Sequence, residues 1–377
     1  MGTKIINLLI PSITPVMFFL AAQVAYDFGV AGLMGFSIML AISFYVIYLL
    51  KNRKAYRMND PLLKKLVYSL YFIETSLSIF LVGKIIISEA ATQYFQVIII
   101  ILMLVATIFV LFLRKFEEKW ISTSTIILGL IVSFLIPTLV YLRVSIPTVY
   151  SGLHFLSRDI LTINLNESIF LILGFGIVFV AHQYGYLIVY EDVKVGYKPR
   201  SYIIAGLISA NVLIAFGSIS FLGRAQAVLP DLSDRVSMQV MSRFGGQFGQ
   251  LLFVSTSIFI SIYVVTRLWK TMQNESSYHR SMSFFYYLLF PLIIVIFWNL
   301  TLIDIFLFFG LIWGPLYSVI IWPSESSVKT RISFIAGLVL SIVFFLLYDV
   351  IIGILVGTIS SILFMRLLML NMYFKKA

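Results

Sequence analysis

One carboxylate and one imidazole stand in apolar runs where hydrocarbon makes them costly. Glu74 lies in "YSLYFIETSLSIFLVGK" and His182 in "GIVFVAHQYGYLIVYEDVKVGYKPR". A charge at the bilayer centre costs roughly 3 kcal/mol or more, so an intramembrane ionisable group is a functional candidate by default. Glu74 can take up a proton, bind a cationic solute or pair with a basic side chain. Its structural alternative is a place nearer the cytoplasmic third, paired with Lys64 or Lys65. Lys84 is too distant to be that partner, since ten residues of helix rise about 15 Å. Its amine is expected to snorkel to the outer interface. His182 changes charge near neutral pH, which suits proton coupling; a neutral imidazole held in a polar pocket is the alternative. Asp27, Asp304 and Asp349 fall at expected outer turns and read as helix-end residues.

Other chemistry is scarce. The chain has no Cys, and its three His (His154, His182 and His279) show no paired spacing. That argues against haem, iron–sulfur and Cys-zinc centres, so no cofactor is expected beyond a possible bound Na⁺. Paired carboxylates, a nucleophile with its base and a metal cluster are all missing from the pattern, so an enzyme is not expected.

The elements that must position these groups are membrane spans. The 377 residues are 61% hydrophobic and 11% charged, with mean hydropathy +1.04, against roughly 25% charge in soluble domains. The fold class is therefore an all-α integral membrane protein. A crossing takes about 20 apolar residues, and such runs number about twelve: 7–26, 29–50, 66–88, 93–113, 120–142, 168–190, 201–222, 247–268, 281–299, 302–322, 332–348 and 350–371. With both termini cytoplasmic, all but Lys84, Arg143, Arg158, Arg224, Arg235 and Arg243 of the 27 Lys and Arg fall inside. This obeys the positive-inside rule. The net charge of +11 is thus topological, and no nucleic-acid partner is implied. The N-terminus runs into a span without a small-residue cleavage site, so no signal peptide is expected. Short loops and tails suggest a multi-pass protein of a prokaryotic cell membrane, with the lipid bilayer as its first partner.

Loop lengths suggest an inverted repeat. Spans one to five fill the first unit, 1–142, and spans six to ten the second, 168–322, joined by an extracellular loop at 143–167 and followed by two more helices in 323–377. The longest internal loop is 51–65 in the first unit and 223–246 in the second, on opposite faces. Both loops mix charge with apolar residues at helical spacing, which suggests amphipathic helices. The first span of each unit carries helix breakers: Pro11 and Pro15 around Ser12 and Thr14, and Gly174, Gly176 and Gly185 around a polar insert. Pro removes a backbone donor, and Gly lets a helix open. Interrupted spans at matching positions of two halves point to a transporter's midplane site.

This pattern resembles the LeuT-type fold of the amino acid–polyamine–cation superfamily over about 1–322. "NLLIPSITPVMFFLAAQVAYDFGVAGLMG" is similar to the first helix of the amino acid/auxin permease branch, with Thr14-Pro15-Val16 where that branch has Gly-small-Gly. "FVAHQYGYLIVYEDVK" is similar to its sixth helix, with Phe179, His182, Tyr190, Glu191 and Lys194 matching at a one-residue offset and Gln183 in place of a Pro. The resemblance implies a solute site between helices one, three, six and eight, with Ser12, Thr14, Pro15, Val16, Glu74, Phe179, Ala181, His182 and Gln183 as candidate contacts. It also puts Thr256 and Ser257 where sodium-coupled members hold Na⁺, with carbonyls from Ile10, Ile13 and Phe253. Hydroxyls and freed carbonyls suit a hard cation, although Ser255, Thr256 and Ser257 can instead back-bond to their own helix.

The expected function is secondary transport of a small polar solute, an amino acid above all, driven by Na⁺ or H⁺. The proton-coupling candidates are Glu74 and His182. The alternatives are a non-transporting membrane subunit or receptor that keeps the fold, and a solute–sodium symporter of another substrate class.

Overall fold

A computed structural model describes residues 2–51, 60–89, 118–161, 165–189, 198–274, 290–321 and 327–376. The expected fourth span (93–113), the first half of the expected ninth, most of the 51–65 loop and the stretch holding Tyr190, Glu191 and Lys194 lie outside the described residues. Every regular element among the described residues is helical. Eight helical stretches are long and apolar enough to cross a membrane.

The chain begins with α1 (Gly2–Leu9), a non-helical turn at 10–14, and α2 (Pro15–Lys51). At about 1.5 Å per residue α2 would exceed any bilayer core if straight. It kinks at Gly29, whose φ of 65° is left-handed. A Cβ there would lie 2.6 Å from the Ile160 carbonyl oxygen, so the position needs glycine for both torsion and space. The expected first span ends at 26 and the second begins at 29; the helix kinks there and runs on.

Helix α3 (Pro61–Ser88) starts on Asp60, whose carboxylate accepts the Leu62 N–H at 2.9 Å. Next come α4 (Glu118–Val144), α5 (Ile146–Leu156) and α6 (Leu165–Val189), then α7 (Pro199–Gly217) and α8 (Ile219–Ala225). The expected amphipathic loop at 223–246 is instead folded into the protein. A 3₁₀ turn (Ser233–Arg235), α9 (Val236–Val240) and a π turn (Met241–Gly245) place Val236, Met238, Val240 and Met241 out of solvent. The remaining helices are α10 (Gly246–Asn274), α11 (Phe290–Phe297), α12 (Leu302–Ile321), α13 (Ser327–Leu347) and α14 (Val350–Lys376).

Aromatic packing holds the centre together. Phe18 and Phe19 of α2 stack on Phe216 of α7 and Phe253 of α10, at 5.0 and 5.5 Å between ring centroids. Phe36 of α2 meets Phe175 and Phe179 of α6 and Phe306 of α12. Two opposed carboxylate–guanidinium nitrogen contacts join Asp60 to Arg331 of α13, at 2.8 and 3.1 Å. That Arg331 hydrogen bond, first among several causes, holds the Asp60 carboxyl below its usual pKa.

One expectation is corrected. The sequence reading has the sixth span open at Gly174, Gly176 and Gly185, but α6 is helical without interruption from Leu165 to Val189. All three glycines keep negative φ, and each seats a neighbour: Gly174 faces Ile351, Gly176 faces Met39, and Gly185 faces Trp313. They serve packing between helices rather than opening of their own, a common use of small residues in membrane bundles.

Candidate functional site

The first span does open, and proline chemistry explains how. In a continuous helix the residue-11 N–H would bond the Asn7 carbonyl; Pro11 has no N–H to give. The Asn7 carbonyl accepts the Tyr186 hydroxyl of α6 instead, at 2.9 Å. Leu9 O takes the N–H groups of both Ser12 and Ile13, which closes α1. Helix α2 then restarts with Thr14 as N-cap, its hydroxyl accepting the Met17 N–H at 3.3 Å, and Pro15 at the first helical position. Among the described residues no backbone N–H reaches the carbonyls of residues 10–13.

Side chains of α6 tie this opened turn down. Gln183 donates from Nε2 to the Ser12 hydroxyl at 3.2 Å, with both residues buried. Arg267 of α10 donates from Nη1 to the Tyr186 hydroxyl at 3.0 Å, so three helices meet at one phenol. Burial of Ser12, Gln183 and Tyr186 is thus matched by hydrogen bonds, as buried polar groups require, and Arg267 joins them through Nη1.

A cavity of about 60 Å³ lies beside the turn, room for a few waters. Its walls include Ile10, Pro11, Thr14 and Val16 from the opened turn, and Tyr71, Glu74 and Ser78 from α3. Phe179, His182, Gln183 and Tyr186 come from α6, Arg267 from α10 and Phe306 from α12. Glu74 is buried, and its Oε2 accepts the Trp313 indole N–H of α12 at 2.7 Å. Gly185 lets the Trp313 ring pack closely, because a Cβ there would stand 3.0 Å from that ring and 3.4 Å from Tyr71. His182 is half-buried and leans on the Tyr71 ring, 5.2 Å between centroids.

Of the residues proposed from sequence, Thr14, Val16, Glu74, Phe179, His182, Gln183 and Ile10 share this cavity. Ser12 joins through Gln183. Pro15 starts α2, and Ala181 is buried within α6; neither lines the space. The remaining sodium candidates stand apart from it. Ile13 packs on Gly129 of α4, beside Ile260 of α10. Phe253 is stacked in the aromatic core, and Thr256 and Ser257 are buried in α10 about two turns before Val264, where that helix first meets the cavity. Ser255 back-bonds to Leu252 O at 3.2 Å.

Three contributors escape the sequence reading. Arg267 counts there as a cytoplasmic anchor, because it sits near the end of a span. The Trp313 indole, which needs a partner once buried, and the Tyr186 phenol are the other two. Glu74 finds Trp313 rather than Lys64, whose amine lies over the Tyr68 ring at 5.4 Å. The Lys84 amine donates to Val295 O of α11 at 2.8 Å.

The fold defines the class: an all-α, multi-pass membrane protein with a largely apolar cavity at an opened helix, into whose wall Glu74, His182 and Arg267 are set. No family model matches the chain, and no curated protein sequence matches it.

Proposed function

We propose that the chain is a secondary active transporter that moves a small polar solute, an amino acid in the first instance, by alternating access. One observation supports this above the others: the opened turn at 10–14 faces a buried cavity lined by both a carboxylate, Glu74, and a guanidinium, Arg267. Irregular backbone at membrane depth persists where it is buried in protein or lines a cavity. A zwitterion presents one cation and one anion, which suits that pair of side chains. At about 60 Å³ the cavity is contracted, so loading requires it to widen.

The same reading includes the LeuT-type arrangement: twelve spans, five plus five inverted and two trailing, with both termini inside a prokaryotic cell membrane. Coupling is by Na⁺ or H⁺. For sodium, the carbonyls of Ile10, Ile13 and Phe253 with the hydroxyls of Thr256 and Ser257 form the candidate site; the unbonded carbonyls of the turn favour it. For the proton, Glu74 and His182 are the carriers.

Uptake of labelled amino acids into proteoliposomes, with Na⁺ and pH gradients imposed separately, tests the proposal. Accumulation driven by one gradient and abolished by Glu74→Ala is expected. Uptake that ignores Na⁺ and survives Thr256→Ala removes the sodium assignment. A second reading, a non-transporting subunit or receptor, is favoured by the unbroken α6. Binding without uptake across a broad solute panel would select it.

A further inference from the structure

Away from the cavity, at the expected outer end of the bundle, Asp234 is fully buried in the 3₁₀ turn before α9, and no donor completes a hydrogen bond to either carboxylate oxygen. Three residues on, the Ser237 hydroxyl is equally buried and equally without a hydrogen-bond partner. The spacing puts both on one face of the turn.

Charges of both signs act on the Asp234 carboxylate: Arg235 first, then, in opposition, Asp304 of α12 and Asp27 of α2. Asp27 is tied to the same turn, accepting the Ser233 hydroxyl at 2.7 Å. Nearby cations are engaged elsewhere. Arg235 acts on Asp234 at a distance, yet its guanidinium contacts Glu89 at 3.3 Å. Arg224 donates twice to the Tyr26 carbonyl and lies over the Tyr26 ring. The α12 N-terminus gives partial relief: the Leu302 amide faces Asp234 without closing a hydrogen bond, and the Ile303 amide is taken by Gln23 at 3.0 Å. A buried carboxylate so poorly matched calls for a counter-charge.

We propose that Asp234 and Ser237 form a binding site for a small hard monovalent cation of sodium's class, with Asp27 and Asp304 supplying its negative field. Among the described residues no three acidic or His groups converge as metal ligands, so a chelated divalent or transition metal does not suit the place. Carboxylate and hydroxyl oxygens are the ligands hard cations take. Gln23 already links α2, the turn and α12, since its Nε2 donates to Ser233 and its Oε1 accepts from Ile303. A cation here would clamp the same three elements. The site is independent of the transport reading and of Thr256.

The test is thermal unfolding of the full-length protein in lipid nanodiscs, with NaCl exchanged for choline chloride at constant ionic strength. A ligand bound by the folded state alone raises Tm saturably. The wild type is expected to show that rise with Na⁺, and Thr256→Ala to keep it. Asp234→Asn is expected to lose it while being at least as stable as wild type in choline, because an unmatched buried charge has gone. Should Asp234→Asn fail to fold, Ser237→Ala carries the test by requiring several-fold more Na⁺ for the same shift. A wild-type Tm indifferent to Na⁺ and responsive only to pH would overturn the proposal and give Asp234 a proton instead. An unchanged Na⁺ response in Asp234→Asn or Ser237→Ala would overturn it too.

Discussion

The turn at 10–14 and the polar middle of α6 have comparable breaker content, and only one of them is open. Pro11 cannot supply the N–H that Asn7 O would need, so the helix must end or leave a buried carbonyl bare. The glycines of α6 only permit opening, and packing against Ile351, Met39 and Trp313 holds them helical. A missing donor compels a break, whereas a missing side chain leaves the choice to neighbours. The two segments are also complementary: Gln183 and Tyr186 of the unbroken helix satisfy Ser12 and Asn7 of the broken one.

The largest expected effect comes from filling the space at Gly185. Gly185→Val pushes into Trp313 and Tyr71 and should destabilise by about 3 kcal/mol, the upper end for overpacking, read as a lower Tm in detergent. Were Gly185 there to open α6, the same change would stiffen the helix and raise Tm. Next is Tyr186→Phe, which strips the Asn7 carbonyl of its donor and should cost about 2 kcal/mol. Adding Pro11→Ala returns an N–H to that carbonyl, so the double variant should recover part of the loss; strict additivity would contradict the donor-exchange explanation. Gln183→Leu removes one hydrogen bond to Ser12 and should cost about 1 kcal/mol. It should also speed amide hydrogen exchange at residues 12 and 13, with α6 itself unaffected.

A smaller effect is expected at the Asp60–Arg331 pair. Hydrogen bonding to Arg331 keeps the folded-state pKa of Asp60 below its unfolded value of about 4. Its contribution is therefore present above that value and fades as pH falls through the folded one. Asp60→Asn should flatten the acid limb of a Tm-versus-pH profile and leave Tm little changed by comparison with the variants above. An acid limb identical in the variant would show that Asp60 has no part in it.

The membrane class and much of the cavity wall are legible in the sequence, because apolar runs and misplaced ionisable groups are one-dimensional signals. Glu74 stands out for that reason, as do Thr14, His182 and Gln183. Arg267 does not, since a basic residue near a span end reads as an anchor until the fold shows it buried against Tyr186. Trp313 hides among apolar neighbours, and the glycine it packs against lies 128 positions earlier. Asp234 is hidden in another way: its loop reads as surface, and only tertiary packing buries it.

If the cavity beside the opened turn is the proposed solute site, it must be reached from both sides of the membrane in turn. The chain has no Cys, so a single Cys in place of Ser78, which lines the cavity, gives a clean probe. Membrane-impermeant thiol reagents would be applied from either face of oriented proteoliposomes, with and without an amino acid and an ion gradient. Labelling from both faces, in proportions that shift with solute and gradient, is the predicted result. Labelling from one face only, indifferent to both, would contradict alternating access at this cavity.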